Sequence, residues 1–305
     1  MPSGKTLIAT VAALAIGCLS LCACRKSASD DGKNTAPVPV QWTRAQVRPG
    51  LQWLSFRGLE SVSGANQVMN VLELDLNEPG LQLEFQYYPA KTTMSSAIRQ
   101  TDGAIAGTNA SFGTPHTFIR TGGTTWCDIS EADPNDSSNW YKHDAAIWFD
   151  GDRTLGVLNY EGDPFGAVTA YQATTWPNLF SSDPLLIEDH EFVELTSTSM
   201  IHHPRTAVCL TDDDRLLILT VDGRWYGMAM GMNIPELRGF IQLNFDPLWA
   251  INMDGGGSTT MYVQGQGKDG IVNYPCNGVS SNTYVEYEGS FTERSLPTFF
   301  VIREK

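Results

Sequence analysis

Short runs of alternating apolar and polar residues dominate this chain, and Gly, Pro, Asn and Asp close them. Leu81-Gln82-Leu83-Glu84-Phe85-Gln86-Tyr87 alternates cleanly, with the period of a half-buried strand. Residues 68–76 alternate around Glu73 and Asp75, and Asn77-Glu78-Pro79-Gly80 between the two runs is a strong turn. The pair therefore reads as a hairpin with a four-residue connection. Further strands are predicted at 104–107, Ala145–Phe149, 207–210, Arg215–Val221, 249–253 and 298–302. The Arg215–Val221 run is almost continuously apolar, as expected of a strand covered on both faces in the middle of a sheet.

Helix signals are fewer. Residues 95–100 predict a short helix capped by Ser95. Asn233-Ile234-Pro235-Glu236 opens a second, with Asn as N-cap, Pro in the first turn and Glu close behind. Leu237, Phe240, Ile241 and Phe245 give its apolar face, and Pro247 ends it. Residues 121–144 read as a long irregular loop. Residues 151–200 carry little pattern; their Trp and Tyr suit a core first and the wall of a sugar site second. No repeat or composition shift divides the chain. The predicted fold is α+β, a single domain over 46–305 with a mixed, largely antiparallel β-sheet and a few helices.

The N-terminus is patterned differently. Lys5 precedes an apolar stretch at 7–21, and no acidic residue occurs before Asp30. This is a secretory signal, assigned to residues 1–23. Leu21-Cys22-Ala23-Cys24 resembles a bacterial lipobox, which makes Cys24 the lipidation site; plain secretion is the alternative. Residues 24–45 read as a tether. The expectation is an exported lipoprotein of a bacterial cell envelope, touching the membrane through its lipid anchor only. Three cysteines then remain, Cys127, Cys209 and Cys276, spaced too widely for a zinc site. Buried thiols are the plainer reading, and a Cys127–Cys276 bridge is open in an oxidising compartment.

A net charge of −14 opposes nucleic acid as a partner, although a local basic pocket can still hold a small anion. The chemistry concentrates in Asn252-Met253-Asp254-Gly255-Gly256-Gly257-Ser258, directly after a predicted strand. Three successive glycines permit positive φ or close backbone approach, and their amides can form an anion nest. The run lacks the Lys and spacing of a P-loop. Asp222-Gly223-Arg224 ends the central strand. If that strand is adjacent and parallel to 249–253, Asp222 and Asp254 emerge at one sheet edge, as a carboxylate pair for glycosidic cleavage. Glu236 is a third acid, or a first-turn Glu facing the helix dipole. Arg205, in His202-His203-Pro204-Arg205-Thr206, suits a phosphate.

These segments together resemble the phosphodiester glycosidase family. The resemblance rests on His203-Pro204-Arg205-Thr206-Ala207, Val221-Asp222-Gly223-Arg224, Pro235-Glu236-Leu237 and Asn252 through Met261, in that order. Val272-Asn273-Tyr274-Pro275, Glu293-Arg294 and the 104–112 region with Asn109 extend it over roughly 95–302. Thr259 stands where a second Ser is usual. The resemblance implies a hydrolase cleaving a sugar-1-phosphodiester, or a phosphorylated glycan, between anomeric carbon and phosphate oxygen. It implies Asp254, Asp222 and Glu236 as catalytic candidates, and Arg205 and Arg294 as phosphate ligands. Gly255, Gly256, Gly257 and Ser258 would supply amides and a hydroxyl, with Asn109 and Asn252 positioning oxygens. No cofactor is expected, and a structural divalent cation at the acidic turns 133–136 or 212–214 stays open. The competing readings are a non-catalytic glycan-binding lipoprotein and a metal-assisted phosphodiesterase.

Overall fold

The computed structural model describes residues 36–130, 141–195, 199–289 and 292–305. The signal peptide, Cys24, the start of the tether and the 133–136 turn lie outside them. The packed chain begins at Pro37 rather than 46. Val38 donates its amide to Ser61 Oγ at 2.9 Å, and Trp42 stacks on Phe245 with ring centroids 5.7 Å apart. The last part of the expected tether is thus folded against the domain.

Seventeen strands and three α-helices occur among the described residues, which makes the fold α+β with strands dominant. An eight-stranded sheet runs in the order Thr43–Arg48, Leu51–Glu60, Ala65–Asp75, Arg215–Val221, Arg205–Leu210, Trp249–Asn252, Leu185–Glu188, Glu191–Phe192. A four-stranded sheet orders Met261–Val263, Ala104–Asn109, Leu296–Glu304, Leu81–Thr92. A five-stranded sheet orders Thr124–Cys127, Ile119–Thr121, Asn178–Ser182, Ala145–Phe149, Leu155–Asn159. Every ladder between these strands is antiparallel. Among the described residues, parallel pairing is confined to isolated bridges such as Thr117 with Lys142.

Alternation decides which side chains go where. In Arg215–Val221, Leu216 and Ile218 enter a core shared with Leu83, Phe85, Phe300 and Phe180 of the smaller sheets. Leu217, Leu219 and Val221 enter a second core beneath the helix Ile234–Phe245, with Leu237, Phe240 and Ile241. Both faces are covered, and this is why the run is apolar throughout. The helix carries a full capping box. Asn233 Oδ1 accepts from the Glu236 amide at 2.8 Å, and Glu236 accepts from the Asn233 amide at 3.1 Å.

Four expectations change. The 68–76 and 81–87 runs are not a hairpin: Ala65–Asp75 pairs with Leu51–Glu60 and Arg215–Val221, whereas Leu81–Thr92 pairs with Leu296–Glu304. The first helix, Met94–Gln100, is capped by Thr93 instead of Ser95. The 121–144 region contains a hairpin arm, Thr124–Cys127. Cys276 is a buried free thiol, so the bridge to Cys127 is not made. Cys209 lies in the helix-side core.

Candidate active site

The strand Arg205–Leu210 lies between Arg215–Val221 and Trp249–Asn252 and runs antiparallel to both. The outer two are therefore parallel and one strand apart, roughly 9–10 Å at ordinary strand spacing. Asp222 and Asp254 do leave the sheet at the same edge, but they are not neighbours.

The turn after Asp254 is pinned by backbone. The Asp254 amide donates to Ala110 O at 3.1 Å, and the Gly256 amide to Pro204 O at 2.8 Å. Gly255 lies so close to Pro204 O that a Cβ would sit 2.6 Å from it. Gly256 has φ +61°, open to glycine and costly to other residues. Asn109, 1% exposed, organises this turn from behind. Its Nδ2 donates to Asp254 O, while its Oδ1 accepts from Thr206 Oγ1 at 3.0 Å and from the Thr260 amide at 3.1 Å. Asn252 is also enclosed and donates Nδ2 to Asp183 O at 2.7 Å. Asn109 and Asn252 thus hold protein backbone. The glycine amides form only part of the expected nest, because the Gly256 amide faces Pro204 and the Gly255 amide faces the Asp254 carboxylate.

Asp254 opens into a cavity of about 400 Å³ that Ser258, Arg294, Lys142, His116, Lys91 and Phe112 also line. Burial pushes its carboxyl up to about 6, against opposing pulls from the Ser258 hydroxyl, Arg294, the Gly255 amide and Lys142. Arg294 is braced: Nε donates to Asn277 Oδ1 at 3.1 Å and Nη1 to Ser258 Oγ at 3.3 Å. The preceding residue, Glu293, accepts from the amide and hydroxyl of Ser95 at 2.8 and 2.6 Å, anchoring this segment to the first helix. Lys142 pairs with Asp183 and stands 5.4 Å from the Phe112 ring centre. Burial also raises Asp183, to about 6. His116 is held below its ordinary range by burial, Lys142 and Lys91. Among the described residues, three cations and one carboxylate thus face one space in a chain of net charge −14.

The remaining predicted residues lie elsewhere. Asp222 is 1% exposed; Oδ1 accepts from Asn273 Nδ2 and Oδ2 from the Tyr274 amide, both at 2.9 Å. Burial pushes it up to about 7, opposed by those two bonds. Glu236 closes the helix cap and pairs with His202 Nε2 at 2.9 Å. Arg205 is spent on backbone, with Nε to Met232 O at 2.8 Å and Nη2 to Ile201 O at 3.0 Å. Burial and the charge of Arg224 lower it to about 10. None of these three lines the cavity.

Arg224, the last residue of Asp222-Gly223-Arg224, lies against the glycine turn without lining the cavity. It has φ +67° and is 7% exposed; its Nη1 donates to Val279 O at 2.9 Å. A Cβ on Gly256 would lie 2.9 Å from its Nη2, and one on Gly257 would strike Arg294. The two guanidinium groups therefore flank the glycine turn, and the absence of side chains there makes room for them. Lys91, His116 and Lys142 were missed because they reach the cavity from places distant in sequence, Lys91 from the end of Leu81–Thr92 and the other two from loops. A second cavity of about 410 Å³, lined by Trp53, Asn70, Arg57 and Tyr274 among others, has no carboxylate among the described residues. Among the described residues no three His, Cys, Asp or Glu side chains converge as a metal site. At the 212–214 turn, Asp213 is already paired with Arg215 at 2.8 Å.

Fold and site thus define a strand-rich α+β domain with an acid in a cationic cavity. The chain belongs to the phosphodiester glycosidase family, whose model matches residues 102–303. The fold is similar to that of the catalytic domain of zebrafish N-acetylglucosamine-1-phosphodiester alpha-N-acetylglucosaminidase, described as auto-inhibited by its pro-peptide. That likeness has a TM-score of 0.59 at 18% identity, covering 87% of this chain and 88% of the other. A hypothetical protein from Synechocystis matches with a TM-score of 0.55 at 14% identity, over 87% of this chain and 64% of that one. A protein from Burkholderia pseudomallei described as exported matches with a TM-score of 0.50 at 14% identity, over 79% and 74%. A search of curated protein sequences finds no match.

Proposed function

We propose that this protein hydrolyses the glycosidic bond of a sugar-1-phosphodiester, releasing the sugar and a phosphomonoester. The observation that carries this reading is the cavity itself: among the described residues Asp254 is its one carboxylate, facing Arg294, Lys142 and Lys91. An anionic diester fits such a space, and an uncharged glycoside has no use for the cations. The water oxygen bonds to the anomeric carbon, the bond from that carbon to the phosphate oxygen breaks, and its electron pair leaves with the phosphomonoester. Asp254 receives the proton from water. A phosphomonoester is a good leaving group, so the reaction has little need of a second acid. Arg294 and Lys142 balance the charge that develops on the phosphate. Asp222, Asn109 and Asn252 act as positioning residues, Glu236 caps the neighbouring helix, and Arg205 holds the backbone of Met232 and Ile201.

Family membership supports the reaction class, and the sequence of residues 1–24 supports export with a lipid on Cys24 of a bacterial envelope protein. The test is product analysis on the methyl ester of N-acetylglucosamine-1-phosphate. Free sugar plus methyl phosphate is expected. Sugar-1-phosphate plus methanol would indicate a phosphodiesterase, and binding without turnover a lectin-like role.

A further inference from the structure

The cavity of about 410 Å³ shares no lining residue with the catalytic one among the described residues, and its floor breaks the pattern of the large sheet. Leu51, Leu72, Leu74, Leu216 and Ile218 put apolar side chains on the face that enters the shared core. By the two-residue alternation of strands, Ser55, Asn70 and Thr220 belong to that same face. The register sets them side by side: Thr43 opposite Ser55, Ser55 opposite Asn70, and Asn70 opposite Thr220. An apolar face thus turns polar, and Thr43, Ser55 and Asn70 line the cavity there. Asn70 is 2% exposed, and Thr220 is fully buried. The Trp53 Nε1 donates to Asn70 Oδ1 at 3.1 Å. An indole nitrogen can only donate, so the amide is fixed with its NH2 group turned away from Trp53. That NH2 group has no partner among the described residues, and neither has Thr220 Oγ1. Buried donors are rarely left unanswered, because an unpaired one costs free energy.

Charge says what would answer it. Arg57, at the exposed rim, lies opposite Val68 and one diagonal step from Asn70, a separation that a long side chain spans. None of the ion pairs among the described residues includes Arg57, and no carboxylate among them lines the cavity. A guanidinium and an amide NH2 can only donate, and Ser55 adds a hydroxyl between them. Trp53, Val272 and Tyr274 supply an aromatic and apolar wall. The cavity lies behind Asp222 rather than Asp254: Val68 O accepts the Asp222 amide, and the Tyr274 amide donates to Asp222 Oδ2, both at 2.9 Å. We propose that this cavity is a second binding site, for a small organic anion. Its carboxylate or phosphate lies between Arg57 and Asn70, and its flat body lies along Trp53.

The test titrates nitrogen-15-labelled protein with phenyl phosphate, benzoate and the neutral benzyl alcohol, and follows the indole N–H signal that disappears in W53F. No tryptophan among the described residues lines the catalytic cavity, so an anion bound beside Arg294 does not touch this reporter. At least one of the two anions should move the signal saturably, and benzyl alcohol should not. A response to phenyl phosphate alone would mark the ligand as a phosphomonoester, and a response to both anions would mark it as an organic acid of either kind. R57Q should keep the wild-type melting temperature, because Arg57 is exposed, and should weaken the affinity about 10-fold. N70D should abolish binding, since it puts a carboxylate where the free donor was; if N70D does not fold, R57Q decides. A signal that neither anion moves, that benzyl alcohol moves equally, or that titrates with unchanged affinity in R57Q would overturn the proposal and leave the cavity to water.

Discussion

Asp222 and Asp254 each follow a buried strand of the same sheet, each precedes a glycine, and burial raises both, to about 7 and about 6. Their surroundings separate them. Asp222 has both oxygens engaged by Asn273 and the Tyr274 amide, in a place closed to solvent. Asp254 faces a 400 Å³ cavity with cations across it. A raised carboxyl alone does not mark a reactive group, because burial does the same to a structural one. Access to a space that a substrate can fill distinguishes the two.

The sharpest way to break this comparison is to remove each charge in turn. D254N should cost about 1,000-fold in kcat with little change in melting temperature. D222N should do the reverse, losing about 1–3 kcal/mol of stability because one donor in the 273–274 segment goes unanswered, and retaining far more of kcat. Urea melts beside initial rates check both. If D222N is the more damaging to turnover, the assignment is inverted.

Next in size is the phosphate side. R294A should lower kcat/KM about 100-fold. G257A should also lower it, because the added methyl displaces Arg294 from its place over the turn. R205A should instead weaken folding, since its lost bonds are to the carbonyls of Met232 and Ile201.

The pH dependence sharpens the comparison further. Asp254 must be ionised to take a proton, so kcat/KM should rise with pH through about 6. Stability should move the opposite way. Both acids hold a proton more tightly in the folded chain than in the unfolded one. Their contribution is complete below about 4 and is lost as pH climbs through 6 to 7. Denaturant midpoints at pH 4.5 and 8 should fall in that order, and D254N should flatten part of the slope.

The smallest effect is expected at the glycine turn. G256A forces a side chain into φ +61° beside Arg224, for about 1–2 kcal/mol. Loss of activity well beyond that of R294A would show that the turn itself, not the charges around it, is what the reaction needs.

Local signals were legible in the sequence. The apolar Arg215–Val221 run declared its two-sided burial, Asn233 to Glu236 declared a cap, and the glycine run declared a close approach. What the sequence hid was pairing. Nothing local says that Arg205–Leu210 inserts between the two acid-bearing strands, or that the 81–87 run leaves its apparent hairpin partner for the C-terminal strand. The site suffered for the same reason. Lys91 comes from the end of the strand Leu81–Thr92 and His116 and Lys142 from two separate loops, and a lone Lys or His carries no mark of where it points. Arg205 and Glu236 carried strong motif context but were taken up by backbone and cap, which only contacts reveal.

One measurement tests the central claim most directly: hydrolysis of the methyl ester of N-acetylglucosamine-1-phosphate in heavy-oxygen water. Attack at the anomeric carbon beside Asp254 predicts the label in the sugar and none in methyl phosphate. Label in methyl phosphate would mean that the P–O bond breaks, and would contradict the role given to Asp254.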